Sequence, residues 1–271
     1  MKISDIIRRN FTAISPEYEQ FAREKDACRQ CSIYDCYKQV GQGEGNASDP
    51  NFMIIGEAFG KEECEQVRPF VGRAGQRIRS ELRKYPHCFD KSNTLISNVL
   101  ACRPENNVFP RDGQYNILEK NRKKSRAKTR EIVNFCATNW VRREIELLHP
   151  KIIIILGAKA LEYIRGDSGI TANRGAWKFS EKYKAWTMAT YHPSYVLRCQ
   201  NDPDKDFVPR QFEEDIRKVV TTWSSVVRND PRTNMSPEEW EHECALKKGS
   251  DKHPSKYVAL SDAFLGYAVD D

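Results

Sequence analysis

The sequence predicts an α/β fold, a three-layer α/β/α sandwich around a central, mainly parallel sheet of four strands. Four short apolar runs, β-branched or aromatic-rich, read as strands buried on both faces: 51–56 (NFMIIG), 94–100 (TLISNVL), 151–157 (KIIIILG) and 185–191 (AWTMATY). Patterns of helical period fill the intervals between them. Several of the runs also close on glycine or a polar turn, as parallel strands do before a crossover.

In chain order, the first run stops at Gly56 and a carboxylate, Glu57, follows at once. The segment 74–85 (AGQRIRSELRKY) places Ile78 and Leu82 four apart, one face of a helix. The second run carries Asn98 near its end. A helix over 129–148 repeats apolar positions at Ile132, Phe135, Trp140 and Ile145 among charges. The third run leads through Gly157 directly into a helix over 158–165, and the fourth is followed by His192. Ligands of open parallel sheets sit beyond the carboxyl ends of the strands. Glu57, Asn98, Gly157 and His192 each fall at or just past such an end, so four separate segments bring polar groups or tight turns to one rim.

Two stretches read as additions to a domain spanning 1–224. Residues 105–130 form a long insertion in which Lys120 to Arg130 hold seven Lys or Arg, among them Lys123, Lys124 and Arg126, and no acid. A solvated face is the common meaning of such a run. Residues 225–271 read as a C-terminal extension, with a capped helix signal in SPEEWEHECALKK and an acidic end.

At 271 residues, 39% hydrophobic and 30% charged, the chain fits one sizeable core and a globular protein. No run approaches the roughly 18 apolar residues of a membrane span, and MKISDIIRRNF lacks a signal-peptide core, so a cytoplasmic monomer without membrane contact is expected. A formal net charge of +6 favours a polyanionic partner. Nine cysteines are many for a reducing compartment, where disulfides are rare. Cys28 and Cys31 form a C-x2-C pair, and Cys102 and Cys136 complete a plausible set of four metal or cluster ligands. Spacing alone leaves zinc, iron–sulfur and unrelated buried thiols all open.

With these segments assembled, the chain resembles the family 4, iron–sulfur uracil-DNA glycosylases of the uracil-DNA glycosylase superfamily. The matching segments are CRQC, GEGNASDPNFMIIGEAFGKEE, RPFVGRAG, ISNVLACRPENN, HPKIIIILGAKAL, ITANRGAW and YHPSYVLR, in the family's order over residues 28–198. The resemblance implies a monofunctional DNA N-glycosylase, a hydrolase that flips a pyrimidine out of DNA and cleaves its glycosidic bond, leaving an abasic site. It further implies a 4Fe-4S cluster on Cys28, Cys31, Cys102 and Cys136. By the same resemblance Phe70 would stack on the base, Asn98 would bond its Watson–Crick edge, and Glu63 would line the pocket near C5. Backbone N–H groups around Ala58 would bind a base carbonyl, His192 would stand beside O2, and Glu57 would orient the attacking water.

Each role has a chemical need. Cleavage leaves positive charge on the sugar and negative charge on the departing base, so a donor near O2 and a carboxylate near the sugar both help. An extruded base needs an aromatic floor and an edge-reading amide, and a side chain must fill the emptied duplex. Leu197, with Tyr195 or Val196, is the expected wedge. Arg73, Arg103, Ser194 and Arg198, with the basic insertion, are expected DNA contacts.

Three departures bear on substrate choice. Phe59 stands where the family usually has proline, which frees the turn and brings a bulky ring near the pocket. The Cys102–Cys136 interval is roughly twice the family's, and the C-terminal stretch has no family counterpart. Uracil excision in base-excision repair is the first expectation. The alternative is excision of a modified pyrimidine, such as hydroxymethylated or glucosylated cytosine of phage DNA, in antiviral defence. A catalytically inactive, metal-stabilised nucleic-acid-binding module is the third. With no histidine between His87 and His149, covalent trapping of DNA through an insertion histidine is disfavoured.

Overall fold

All four apolar runs are strands, and they are neighbours. The structure, a computed structural model, describes residues 2–118, 124–126 and 129–229. Its strands are β1 (Phe11–Ile14), β2 (Glu44–Ala47), β3 (Phe52–Ala58), β4 (Thr94–Leu100), β5 (Asn116–Leu118), β6 (Lys124–Arg126), β7 (Ile152–Leu156), β8 (Trp177–Ser180) and β9 (Ala185–Thr190). Seven of them form one sheet in the order β1-β2-β4-β3-β7-β9-β8. The four expected strands are its contiguous centre, β4-β3-β7-β9, parallel throughout.

The sheet therefore has seven strands rather than four, and the difference lies at its edges. β2 reads EGNA and is buried throughout, so it offers no apolar alternation to recognise; its pairing with β4 is antiparallel. β1 joins it in parallel, and β8 returns as an antiparallel partner of β9. The first run also extends further than expected. β3 continues through Glu57 to Ala58, which pairs with Leu100, so Glu57 is a strand residue rather than the first residue of a turn.

Alternation along the strands makes two cores. Met53, Ile55, Leu95, Val99, Ile153 and Ile155 face one side, where Tyr18 and Phe21 of the helix Pro16–Asp26, Ile145, and Leu161 of the helix Ala158–Arg165 cover them. Phe52, Ile54, Ile96, Ile152, Ile154 and Leu156 face the other, against Ile78 and Leu82 of the helix Arg73–Leu82 and Phe212 and Ile216 of the helix Phe207–Asn229. That last helix runs through residue 225, and Val226 and Val227 are buried. The helix signal expected in SPEEWEHECALKK lies outside the described residues.

The long helix expected over 129–148 is continuous but not uniform. Its first part, Thr129–Cys136, passes into a π-helical segment, Ala137–Arg142, and then into Arg143–Leu148. One wide segment re-phases the apolar face, so Trp140 and Val141 are buried along with Ile132 and Ile145. This helix also brings a carboxylate into the core. Glu144, fully buried, accepts hydrogen bonds from Tyr18 and from Ser97 Oγ at 2.5 Å, and lies 3.8 Å from the buried Lys25 ammonium.

Within the insertion, β5 and β6 form an antiparallel hairpin in which Asn116 pairs with Arg126 and Leu118 with Lys124. Its β5 side is bonded to the C-x2-C loop: Ser32 N–H donates to Asn116 O at 2.9 Å, and Cys31 bridges to Ile117. Among the described residues, no helix is long and apolar enough to cross a membrane.

Candidate active site

At the carboxyl ends of β3, β4 and β9 the chain encloses a cavity of about 330 Å³. Glu57, Ala58, Phe59, Glu63, Phe70, Arg73, Asn98, His192 and Ser194 all line it. Every base-binding and catalytic candidate of the sequence reading is thus on one wall or another.

Its floor follows from strand register. Gly56 pairs with Asn98 across β3 and β4, and with no side chain at Gly56 the Phe70 ring and the Asn98 amide both move in close. A Cβ there would stand 2.3 Å from Phe70 Cζ and 2.5 Å from Asn98 Oδ1. Asn98 is buried at 3% exposure and its amide has no hydrogen-bond partner among the described residues. The amide opens onto the cavity, where a ligand can meet it. Phe70 is held in a left-handed backbone conformation, φ 55°, uncommon for a bulky residue. Arg79 Nε donates to its carbonyl at 2.8 Å, and Gly75 passes directly beneath its backbone.

Glu63 has a different part from the one expected for it alone. One of its carboxylate oxygens accepts from Gly60 N–H at 3.1 Å and the other from Gly72 N–H at 2.7 Å. It ties the loop after β3 to the loop that carries Phe70, and forms the wall while doing so. Phe59 is buried, its ring turned against Gly41 rather than spread across the cavity.

His192 caps the helix Pro193–Cys199. Its Nδ1 accepts from Ser194 N–H at 3.2 Å and stands 2.7 Å from Ser194 Oγ. A backbone N–H can only donate, so Nδ1 is unprotonated and the neutral ring carries its proton on Nε2. Burial first, and the Arg198 charge second, lower its pKa to about 4. Gly157, φ 91°, is where this ring closes on β7: a Cβ would lie 2.7 Å from His192 Cβ. Glu57 is half-buried and its carboxylate has no hydrogen-bond or salt-bridge partner among the described residues. Burial raises its pKa above the ordinary 4.5, against the opposing pull of Lys159 and Arg198.

The DNA-contact candidates divide. Arg73 and Ser194 line the cavity, and Leu197 lines a shallow depression beside it. Tyr195 packs on Tyr191, and Arg198 lies 5.7 Å from the Tyr195 ring on the exposed side of the same helix. Val196 is buried, which removes it as a wedge. Arg103 is not on the cavity wall; it stacks 4.0 Å from the Tyr37 ring and donates to Asn107 Oδ1 at 2.6 Å. Lys124 and Arg126 belong to the hairpin beside the C-x2-C loop, and Lys123 lies outside the described residues.

Sequence reasoning missed Pro104 and Asn107 in the cavity wall and Lys159 as a charge acting on Glu57. Asn106 and Asn107 both have positive φ, 53° and 58°. The paired asparagines after Pro104 were the available signal, since asparagine tolerates that conformation better than most residues.

On the opposite face, Cys28, Cys31, Cys102 and Cys136 line a separate small apolar cavity with Ile33, Leu100 and Trp140. All four are free thiols. Burial pushes Cys136 up to about 12 and Cys102 well above its ordinary value. Among the described residues no three His, Cys, Asp or Glu side chains converge closely enough for a single metal ion.

The sequence profile of the Uracil DNA glycosylase superfamily matches residues 42–217. A type-4 uracil-DNA glycosylase of Thermotoga maritima is 31% identical over 192 residues, 69% of this chain and 86% of its own length. One from Pyrobaculum aerophilum is 31% identical over 196 residues, 70% of this chain and 86% of its own. One from Sulfurisphaera tokodaii is 29% identical over 209 residues, covering 74% and 82% respectively. The chain belongs to the uracil-DNA glycosylase superfamily, and within it to type 4. The profile match spans both the cavity and two of the four cysteines, Cys102 and Cys136, and takes in the insertion.

The ring of His192 makes the site testable without a substrate. In an NMR titration it should stay neutral from pH 7 down to about 5, carry its proton on Nε2, and titrate near 4. A titration midpoint near the ordinary 6.5, or a proton on Nδ1, would contradict this geometry.

Proposed function

We propose that this protein is a monofunctional DNA N-glycosylase that excises uracil from DNA. The observation that carries the reading is the convergence, in one cavity, of an unpartnered amide, a neutral histidine and an unpaired carboxylate. The printed names of its relatives favour uracil over other bases.

In this reading the extruded base lies on Phe70 and the free Asn98 amide bonds its edge. As the N1–C1′ bond breaks, its electron pair goes to the base. His192 Nε2–H donates to the anion developing at O2, and a neutral ring suits this because it keeps its proton through the reaction. Glu57 holds a water against the opposite side of the sugar and stabilises the cationic C1′. The water oxygen then bonds C1′ and its proton passes to the carboxylate. Glu63, which the resemblance places near C5, is held in the cavity wall by two N–H groups, and no observation favours a modified pyrimidine. The intact set of groups likewise speaks for an enzyme over an inactive binding module.

The four cysteines fit a thiolate-bound group. They are free, they ring one apolar cavity, and their burial disfavours thiolates unless positive charge stands among them. Cys28, Cys31, Cys102 and Cys136 would hold a 4Fe-4S cluster, whose contribution is to cross-link the N-terminal loop, the segment after β4 and the π-helical junction. Tyr195, Leu197 and Arg198, on one exposed helix beside the cavity mouth, would meet the DNA, with Arg73 on the phosphates.

Release of free base, measured by mass from a uracil-containing single strand, tests the activity. Asn98→Ala and His192→Ala should each lower the rate by about 10²–10³; either variant at the wild-type rate would reject that residue's role. Below neutral pH the wild-type rate should fall as Glu57 protonates above 4.5, and Glu57→Gln should lack that step.

The purified protein should be brown and contain about four irons per chain. A colourless protein holding zinc would overturn the cluster.

A further inference from the structure

A second cavity, about 540 Å³ and larger than the candidate active site, lies at the other end of the helix Arg73–Leu82. The two are joined along that helix. Gly72 and Arg73 border both the active-site cavity and the depression lined by Leu197, while Val71 and Gln76 border both that depression and the second cavity.

At its centre is Glu44 of β2, 2% exposed, with three cations around it: Arg68 at 2.7 Å, Arg79 at 2.5 Å and Lys91 at 3.3 Å. One buried carboxylate needs one partner, so this arrangement leaves an excess of about two positive charges. With Arg83 and Asp90 also on the wall, the charged side chains lining the cavity still carry a net charge of about +2. Arg79 has its donors engaged by Glu44 and by the carbonyls of Pro69 and Phe70. Arg68 does not: its Nε is buried without a hydrogen-bond partner. Neither does Thr94, 4% exposed and also on the wall, whose Oγ1 is buried and unpartnered. Opposite these polar groups stands an apolar surface of Leu82, Pro86 and Phe89. Surplus positive charge, unspent hydrogen-bonding groups and an aromatic-bearing wall together match an anion carried on a flat apolar body.

We propose that this cavity binds a nucleotide, with its phosphate on Arg68, Arg83 and Lys91 and its base against Leu82, Pro86 and Phe89. The nucleotide has two sources. One is the strand that carries the excised base, in which case the inference rests on the glycosylase reading. The helix Arg73–Leu82 is about 15 Å long at 1.5 Å per residue, and the second cavity begins at Val71 and Gln76, so a few nucleotides of one strand span both sites. The other source is free nucleotide, which is independent of that reading.

The experiment compares wild type with Arg83→Ala/Lys91→Ala. Both side chains are exposed, Lys91 by 58%, and neither belongs to the candidate active site. The probes are 5′-dAMP, a uracil-free single strand long enough to reach both cavities, and a uracil dinucleotide too short to do so. If free nucleotide is the ligand, 5′-dAMP should shift the Thr94 and Phe89 amide resonances of wild type and bind the variant at least about tenfold more weakly. If the strand is the ligand, the long probe should lose about tenfold in affinity, and its salt slope should flatten by about 1.4, the loss of two phosphate contacts on a single strand. Uracil release from the dinucleotide should be unchanged in either case. Equal binding of both probes by both proteins would overturn the proposal. No uracil release by wild type, with 5′-dAMP binding intact, would instead strike the glycosylase reading and leave the nucleotide site standing.

Discussion

Gly56 stands opposite Asn98 in the parallel register of β3 and β4, and the floor of the cavity depends on the side chain missing there. Two things follow from that space: Phe70 can lay its ring across the strand ends, and Asn98 can keep its amide unobstructed, while the missing side chain at Gly75 lets the left-handed Phe70 backbone settle onto the start of the helix Arg73–Leu82. The sheet fixes the register through a continuous ladder from Phe52–Thr94 to Ala58–Leu100. Slippage by one residue would turn Asn98 into the opposite core.

Two buried carboxylates away from the cavity are each met by several partners. Glu144 has Tyr18, Ser97 and Lys25, and Asp215 has Arg174 and Thr190. Around the cavity the pattern is reversed: Asn98 and Glu57 are left without partners, and His192 is kept neutral by burial and by bonding only at Nδ1. Groups held in place but not satisfied are what a reacting ligand can use, and the cost of leaving them so is met by the packed sheet beneath. Arg79 connects this cavity to the second one, since it bonds Glu44 at one end and the Phe70 carbonyl at the other.

The central strands were legible because each is a short apolar run with both faces buried, a pattern that composition alone reveals. β2 was not, since EGNA is buried through backbone pairing and its glutamate meets cations from three other segments. The π-helical segment was hidden because one extra residue per turn leaves the charge pattern helical in appearance. At the cavity, Glu57, Asn98 and His192 could be placed by the rule that ligands sit at strand ends, whereas the tie of Glu63 to Gly60 and Gly72 depends on two loops meeting in space. Pro104, Asn107 and Lys159 depend on the same kind of long-range approach. The second cavity lay beyond sequence reasoning altogether, because residues 44, 68, 79 and 91 share no spacing that marks them as a set.

The claim that matters most is that the space over Gly56 lets Phe70 and Asn98 hold an extruded base. Its direct measurement is the rate of uracil release by folded Gly56→Ala protein relative to wild type. The geometry predicts a fall of about 10²-fold or more, since an intruding methyl displaces both groups on the scale of an ångström. Release at the wild-type rate by that variant would contradict it.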